Sequence, residues 1–131
     1  MALVIDASGL LMAVLSDTPE SERLRRRLVS EVSHAPHLID AEIGRALRRQ
    51  VKRGELAEPT GAGLLQWSAT LVDHRHEMSG PIASAAWDMR HRLGFPDALY
   101  VVLAEALGLP LVTADRRLAV GAGCEVVLVG S

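Results

Sequence analysis

The chain of 131 residues has a single cysteine, Cys124. That excludes an internal disulfide framework and any zinc site built from several cysteines. Aromatic residues make up only 3%. The core must therefore come from Leu, Val, Ile and Ala, and few rings are left to stack on bases. No apolar run approaches the roughly 18–20 residues that a membrane helix needs. The opening segment, Met1-Ala2-Leu3-Val4-Ile5-Asp6, meets a carboxylate too early for a secretory signal. The expectation is a cytoplasmic protein without a membrane segment. There is no G-x-x-x-x-G-K-[ST] and no G-x-G-x-x-G, so nucleotide cofactors have no support. The net charge of −2 gives no overall basic field of the kind that nucleic-acid binders usually carry.

What is present is 49% hydrophobic and 23% charged, a composition able to bury a core. The length suits one domain over residues 1–131. Short apolar runs alternate with longer amphipathic segments, the pattern of an α/β domain with a largely parallel sheet. Ala2 to Ile5 reads as a buried strand. Ser8-Gly9 reads as a turn, followed by helical spacing at Leu10, Leu11, Val14 and Leu15. Asp17-Thr18-Pro19-Glu20 has the composition of a helix start, and Leu24, Leu28 and Val32 continue that helix. His34-Ala35-Pro36-His37 is a break or a very short strand. Leu38 to Arg53 forms the clearest helix, with Ile39, Ile43, Leu47 and Val51 in one stripe and Gly54 at its end. Further helices are expected from Glu58 to His74, from Ile82 to Leu93, and from Phe95 to a stop at Gly108. Leu111–Thr113 is a strand, Arg116 to Val120 a short helix, and Glu125 to Val129 the last strand.

Four acids stand at chemically useful points. Asp6 ends the first strand and Asp115 follows the Leu111–Thr113 strand. The crevice beyond the carboxyl ends of parallel strands is where ligands bind. Asp97 sits in the first turn of a helix after Pro96, where the helix dipole favours its ionised form. Glu42 lies beside Ile43, at the edge of the apolar stripe. Singly, each has an ordinary explanation, such as a cap for the next helix. Together, like charges repel unless a cation lies among them. All-oxygen donors suit a hard ion, so Mg²⁺ or Mn²⁺ is favoured over Zn²⁺.

At these positions the sequence resembles the PIN-domain family, and within it the VapC-type toxins of prokaryotic toxin–antitoxin pairs. The resemblance is carried by Val4-Ile5-Asp6-Ala7-Ser8, by Ile39-Asp40-Ala41-Glu42-Ile43, by Asp97-Ala98-Leu99-Tyr100 with the residues up to Glu105, and by Pro110 to Leu118. It implies a three-layer α/β/α domain on a mainly parallel sheet of about five strands. It implies a Mg²⁺- or Mn²⁺-dependent endoribonuclease, often homodimeric, acting on RNA and held inactive by a VapB-like antitoxin. It places Asp6, Glu42, Asp97 and Asp115 at catalytic and metal-binding positions, with Ser8 and Thr113 as supporting hydroxyls. The stretch from Gly54 to Arg92 carries no motif of the family.

Other features stay open at this level. Arg45, Arg49, Lys52 and Arg53 share one helix face, which suits an RNA backbone, a solvated surface or an antitoxin's acidic segment. Arg116 beside Asp115 suits phosphate contact or plain solubility. Asp40 is about 200° from Glu42 around the same helix, at about 100° per residue, so the two face apart. His74 and His76, read on a helix, would point to different sides as surface residues. Trp67 and Trp87 are expected in the core or at a dimer contact. A non-catalytic PIN-like module that only binds RNA or protein remains the alternative to the ribonuclease. A phosphotransferase using Asp6 as nucleophile lacks a second acid two residues on, where Ser8 stands.

Overall fold

A computed structural model describes residues 1–130; Ser131 lies outside the described residues. The elements, in chain order, are β1 (Ala2–Ile5), α1 (Ala7–Leu15), α2 (Pro19–Ser30), β2 (Val32–Pro36), α3 (Leu38–Lys52) and α4 (Glu58–Thr70). They continue as β3 (His74–His76), α5 (Pro81–Asp88), α6 (Phe95–Leu107), β4 (Leu111–Thr113), α7 (Arg116–Gly121) and β5 (Val126–Leu128). The strands form one five-stranded sheet in the order β3-β2-β1-β4-β5, and every pairing is parallel.

The order follows from burial. Leu3, Val4 and Ile5 of β1, and Leu111 and Val112 of β4, are completely buried, as central parallel strands covered on both faces should be. Helix α6 packs on β1, β2 and β4, with α5 along it, while α1 lies against β4 with α2, α3 and α4 grouped around it. Helix α6 buries every residue from Ala98 to Ala104. It ends at Gly108, whose φ of +64° is a left-handed conformation that closes the last turn without a Cβ penalty. At the other end of the chain's first crossover, Thr18 and Ser21 form a reciprocal capping box that starts α2. No helix among the described residues is long and apolar enough to cross a membrane.

Four local expectations are corrected. Val32 does not continue α2, which ends at Ser30, but opens strand β2. Ser8 and Gly9 are not a turn: they lie in the first turn of α1, because Asp6 caps that helix directly from the end of β1. Helix α4 stops at Thr70, and His74 opens strand β3 instead of ending a helix. A three-residue polar edge strand carries no apolar alternation to betray it. The helix expected over Ile82–Leu93 ends at Asp88 and gives way to turns.

Candidate active site

The sheet order places the switch in the side of strand addition between β1 and β4: β2 and β3 are added outward on one side of β1, and β4 and β5 on the other. Register pairs Val4 with Leu111 and Ile5 with Val112. The next residues, Asp6 and Thr113, therefore emerge side by side at the carboxyl ends of adjacent strands, where an open parallel sheet leaves a crevice.

Asp6 is 4% exposed and accepts three hydrogen bonds. Gly9 N–H and Ser8 Oγ donate to Oδ1, both at 2.8 Å, and Thr113 Oγ1 donates to Oδ2 at 2.5 Å. A hydroxyl has one proton to give. With both protons committed to Asp6, the 3.1 Å approach of Ser8 Oγ to Thr113 Oγ1 is a contact between two acceptors. Each hydroxyl then uses a lone pair on the β4–α7 loop: Ser8 accepts from Ala114 N–H and Thr113 from Asp115 N–H, both at 3.0 Å. The two strand ends are thus tied together through the Asp6 carboxylate. Gly9 belongs to this arrangement. A Cβ there would stand 3.1 Å from the Val112 carbonyl oxygen and 3.4 Å from Asp6 Oδ1.

Burial dominates the electrostatics. It pushes the Asp6 carboxyl from 3.8 up to about 6, against the three hydrogen bonds and with a further upward contribution from Asp97. Burial also raises Glu42 and Asp97. Asp97 adds to the rise at Glu42, and Asp115 adds to the rise at Asp97. The four acids chosen from the sequence thus feel one another's charge at a single place. They do not form a ready-made cage. Among the described residues, no group of three acidic, histidine or cysteine side chains is arranged to hold a metal ion directly. The donor set still fits a hard cation. It is all carboxylate, its negative charge is offset only in part by Arg45 and Arg117, and Mg²⁺ retains several waters and takes only one or two protein carboxylates.

Asp115 also caps α7, accepting from Arg117 N–H at 2.9 Å and Leu118 N–H at 3.4 Å. Glu42, on α3, accepts from the Tyr100 hydroxyl of α6 at 2.5 Å. Sequence reasoning missed Tyr100. The available signal was its position three residues after Asp97, on the same helical face. Burial first, and then its bond to Glu42 and the neighbouring carboxylates, push its hydroxyl well above the ordinary phenol value. Tyr100→Phe is expected to lower stability by about 1.5–3 kcal/mol, the contribution of a hydrogen bond to a charged group. It should also raise the Glu42 pKa, since the lost bond favours the ionised form. Urea melts and a carboxyl NMR titration check both.

Asp40 turns away, as expected, and forms a two-pronged pair with Arg75. Arg45, Arg48, Arg49, Lys52 and Arg53 line one concavity with Gly44, all five exposed. Arg116 is exposed beside Asp115. The tryptophans are not in the core: Trp67 is 41% and Trp87 59% exposed, and the Arg90 guanidinium lies 5.0 Å over the Trp87 ring.

Residues 3–123 match the PIN domain family, and the chain belongs to it. Its relatives are specific within that family. It is 41% identical over 128 residues to Ribonuclease VapC1 of Mycobacterium tuberculosis, an alignment covering 96% of each chain. It is 40% identical over 116 residues to Ribonuclease VapC9 of the same organism, covering 88% of this chain and 87% of the relative. Among solved structures it is similar to PAE2754 from Pyrobaculum aerophilum, with a TM-score of 0.76 and 24% identity over 96% of this chain and 83% of that one. It is also similar to VapBC2 from Rickettsia felis bound to a DNA fragment from their promoter, with a TM-score of 0.73 and 12% identity over 97% and 98% of the two chains. The five-stranded parallel sheet flanked by helices is the fold that these likenesses support.

Proposed function

We propose that the chain is a Mg²⁺- or Mn²⁺-dependent endoribonuclease and the toxin of a toxin–antitoxin pair, acting on RNA in the cytoplasm. The observation that carries this reading is the buried Asp6 carboxylate at the β1–β4 crevice, with Asp97 raising the pKa of both Asp6 and Glu42. Its relatives bear the name ribonuclease, and the donor chemistry agrees.

Asp6, Asp97, Asp115 and Glu42 would hold the ion. When bound, Mg²⁺ or Mn²⁺ would supply charge neutralisation at the scissile phosphate and acidify water. The chain's own residues supply the rest. Ser8 and Thr113 fix the orientation of Asp6 and leave it no rotational freedom. Tyr100 holds one oxygen of Glu42. Among the described residues Asp97 makes no side-chain hydrogen bond, and its basicity is raised. It is the carboxylate suited to take a proton from the attacking water as the new P–O bond forms, while the scissile P–O bond breaks and its oxygen takes a proton from solvent.

Arg45, Arg49 and Lys52 would carry the RNA backbone toward the acids, with Arg116 at the near phosphate. Replacing Arg45, Arg49 and Lys52 together by Ala should raise KM with little change in kcat. It should also flatten the salt dependence of binding by about 2 in logarithmic slope, at about 0.7 per lost phosphate contact on a single strand. An unchanged slope would remove RNA from this row. A VapB-like antitoxin and a second copy of the chain are the proposed protein partners; VapBC2 among the structural neighbours supports the first.

The decisive test is incubation with structured RNAs in Mg²⁺, in Mn²⁺ and in EDTA. Cleavage confined to the metal-containing samples supports the proposal. Cleavage that persists in EDTA defeats it, and binding without cleavage in every sample favours the non-catalytic module.

A further inference from the structure

Strands β2 and β3 form the outer pair at one edge of the sheet, with His34 in register with His74 and Pro36 with His76. Side chains two apart on a strand share a face, so His74 and His76 point the same way, toward His34. The His34 ring stacks on His74 with centroids 5.0 Å apart and planes 29° from parallel. Its Nδ1 lies 2.9 Å from Nε2 of His76. The helical reading of these histidines placed them on opposite sides; the strand brings them together.

The pair is held from both ends. Arg75, between the two β3 histidines, is clamped by Asp40 of α3 through Nε–Oδ2 at 2.5 Å and Nη2–Oδ1 at 2.9 Å. Asp73 accepts from Ser33 N–H at 2.8 Å, and its own N–H donates to the Ser33 hydroxyl. The two ring nitrogens meet because backbone and ion pairs fix them there. A hydrogen bond between two imidazoles needs one protonated nitrogen and one lone pair. Burial and the two neighbouring rings lower the basicity of His34, which keeps its lone pair available near neutral pH.

We propose that His34 Nδ1 and His76 Nε2 form a binding site for a transition-metal cation of the imidazole-preferring class, such as Zn²⁺, with water completing its coordination. The cation takes the place of the shared proton, which moves to the far nitrogen of its own ring, so both ligands stay neutral. At a Zn–N distance of about 2.0–2.1 Å, two adjacent ligand nitrogens stand about 2.9 Å apart at a right angle and about 3.4 Å apart at the tetrahedral angle. The observed 2.9 Å therefore needs ring rotation and at most a few tenths of an ångström of opening. Imidazole selects Zn²⁺, Ni²⁺ and Cu²⁺, whereas Mg²⁺ and Mn²⁺ prefer oxygen. The site is thus chemically distinct from the four acids. His37 N–H donates to the His76 carbonyl at 3.0 Å, which ties the end of β3 to the residue that precedes α3.

The test is calorimetric titration of the untagged full chain with ZnCl₂ in excess Mg²⁺. One Zn²⁺ per chain is expected. Affinity should fall at least about tenfold in His34→Gln and in His76→Gln, and should be retained in His91→Gln and in Asp6→Asn. Zinc uptake unaffected by both histidine substitutions, uptake lost only in Asp6→Asn, or no uptake at all would each overturn the proposal. Should the histidine variants fold poorly, ring-nitrogen NMR of the unaltered chain decides. His34 and His76 signals must shift on zinc addition, and their constancy overturns the site.

Discussion

Asp6→Asn is expected to abolish RNA cleavage and, in the absence of metal, to make the protein more stable. The loss should exceed about 100-fold, because removing a group that merely supports a metal ligand already costs about 10–100-fold. The gain has a separate origin. Burial holds the Asp6 pKa near 6, so at pH 7.5 the folded state keeps an ionised carboxylate that would be more stable in water. One pKa unit corresponds to about 1.4 kcal/mol, so the rise from 3.8 opposes folding by roughly 2–3 kcal/mol at that pH. Asn removes the charge, still accepts at Oδ1 from Gly9 N–H as the cap of α1 and from the Ser8 hydroxyl, and donates from Nδ2 to Thr113 Oγ1, whose own proton turns away toward Ser8 Oγ 3.1 Å off. Recovery of about half the penalty would raise Tm by about 4–5 °C for a chain of this size. Cleavage assays and thermal melts in EDTA read the two effects. A variant that is inactive and also less stable would mean that Asp6 is a structural cap and not a strained functional acid.

The same tension explains what was legible in the sequence. Asp6 and Asp115 could be found because each ends an apolar strand, and parallel strands deliver their carboxyl ends to one edge. The strong 3.6-residue stripe of α3 placed Glu42 near the core and turned Asp40 outward, as its pairing with Arg75 bears out. The buried run of α6 is equally plain, since apolar residues fill it from Ala98 to Ala104 except for Tyr100. The failures share a cause. Strand β3 reads His74-Arg75-His76 and gains its stability from pairing with β2, not from a pattern of its own. Ser8-Gly9 has turn composition, yet the Asp6 cap overrides that preference and begins a helix. Tyr100 hides inside an apolar helix because only its hydroxyl is polar, and only the fold brings Glu42 to meet it. Patterns along the chain expose what each element buries. Contacts between elements distant in sequence, such as Thr113 with Asp6, carry no local mark.

Metal-free protein should become more stable as pH falls from 7.5 toward 5, and Mg²⁺ should reverse that trend. A raised folded-state pKa means that the proton binds the folded chain more tightly than the unfolded one. The stabilisation is then complete below 3.8, the unfolded value for Asp6, and is lost as pH rises through about 6. Glu42 and Asp97 shift in the same direction and add to the slope. Mg²⁺ competes with the same protons for the same oxygens. Its stabilisation grows with the ratio of free ion to Kd, and Kd falls as the acids ionise. The increment in Tm from 10 mM Mg²⁺, roughly 100 times a Kd of 0.1 mM and so about 2.7 kcal/mol in that case, should be large at pH 7.5 and nearly absent at pH 5. It should vanish in Asp6→Asn at both. Equal increments at the two pH values, or an undiminished increment in the variant, would place the ion somewhere other than the β1–β4 crevice.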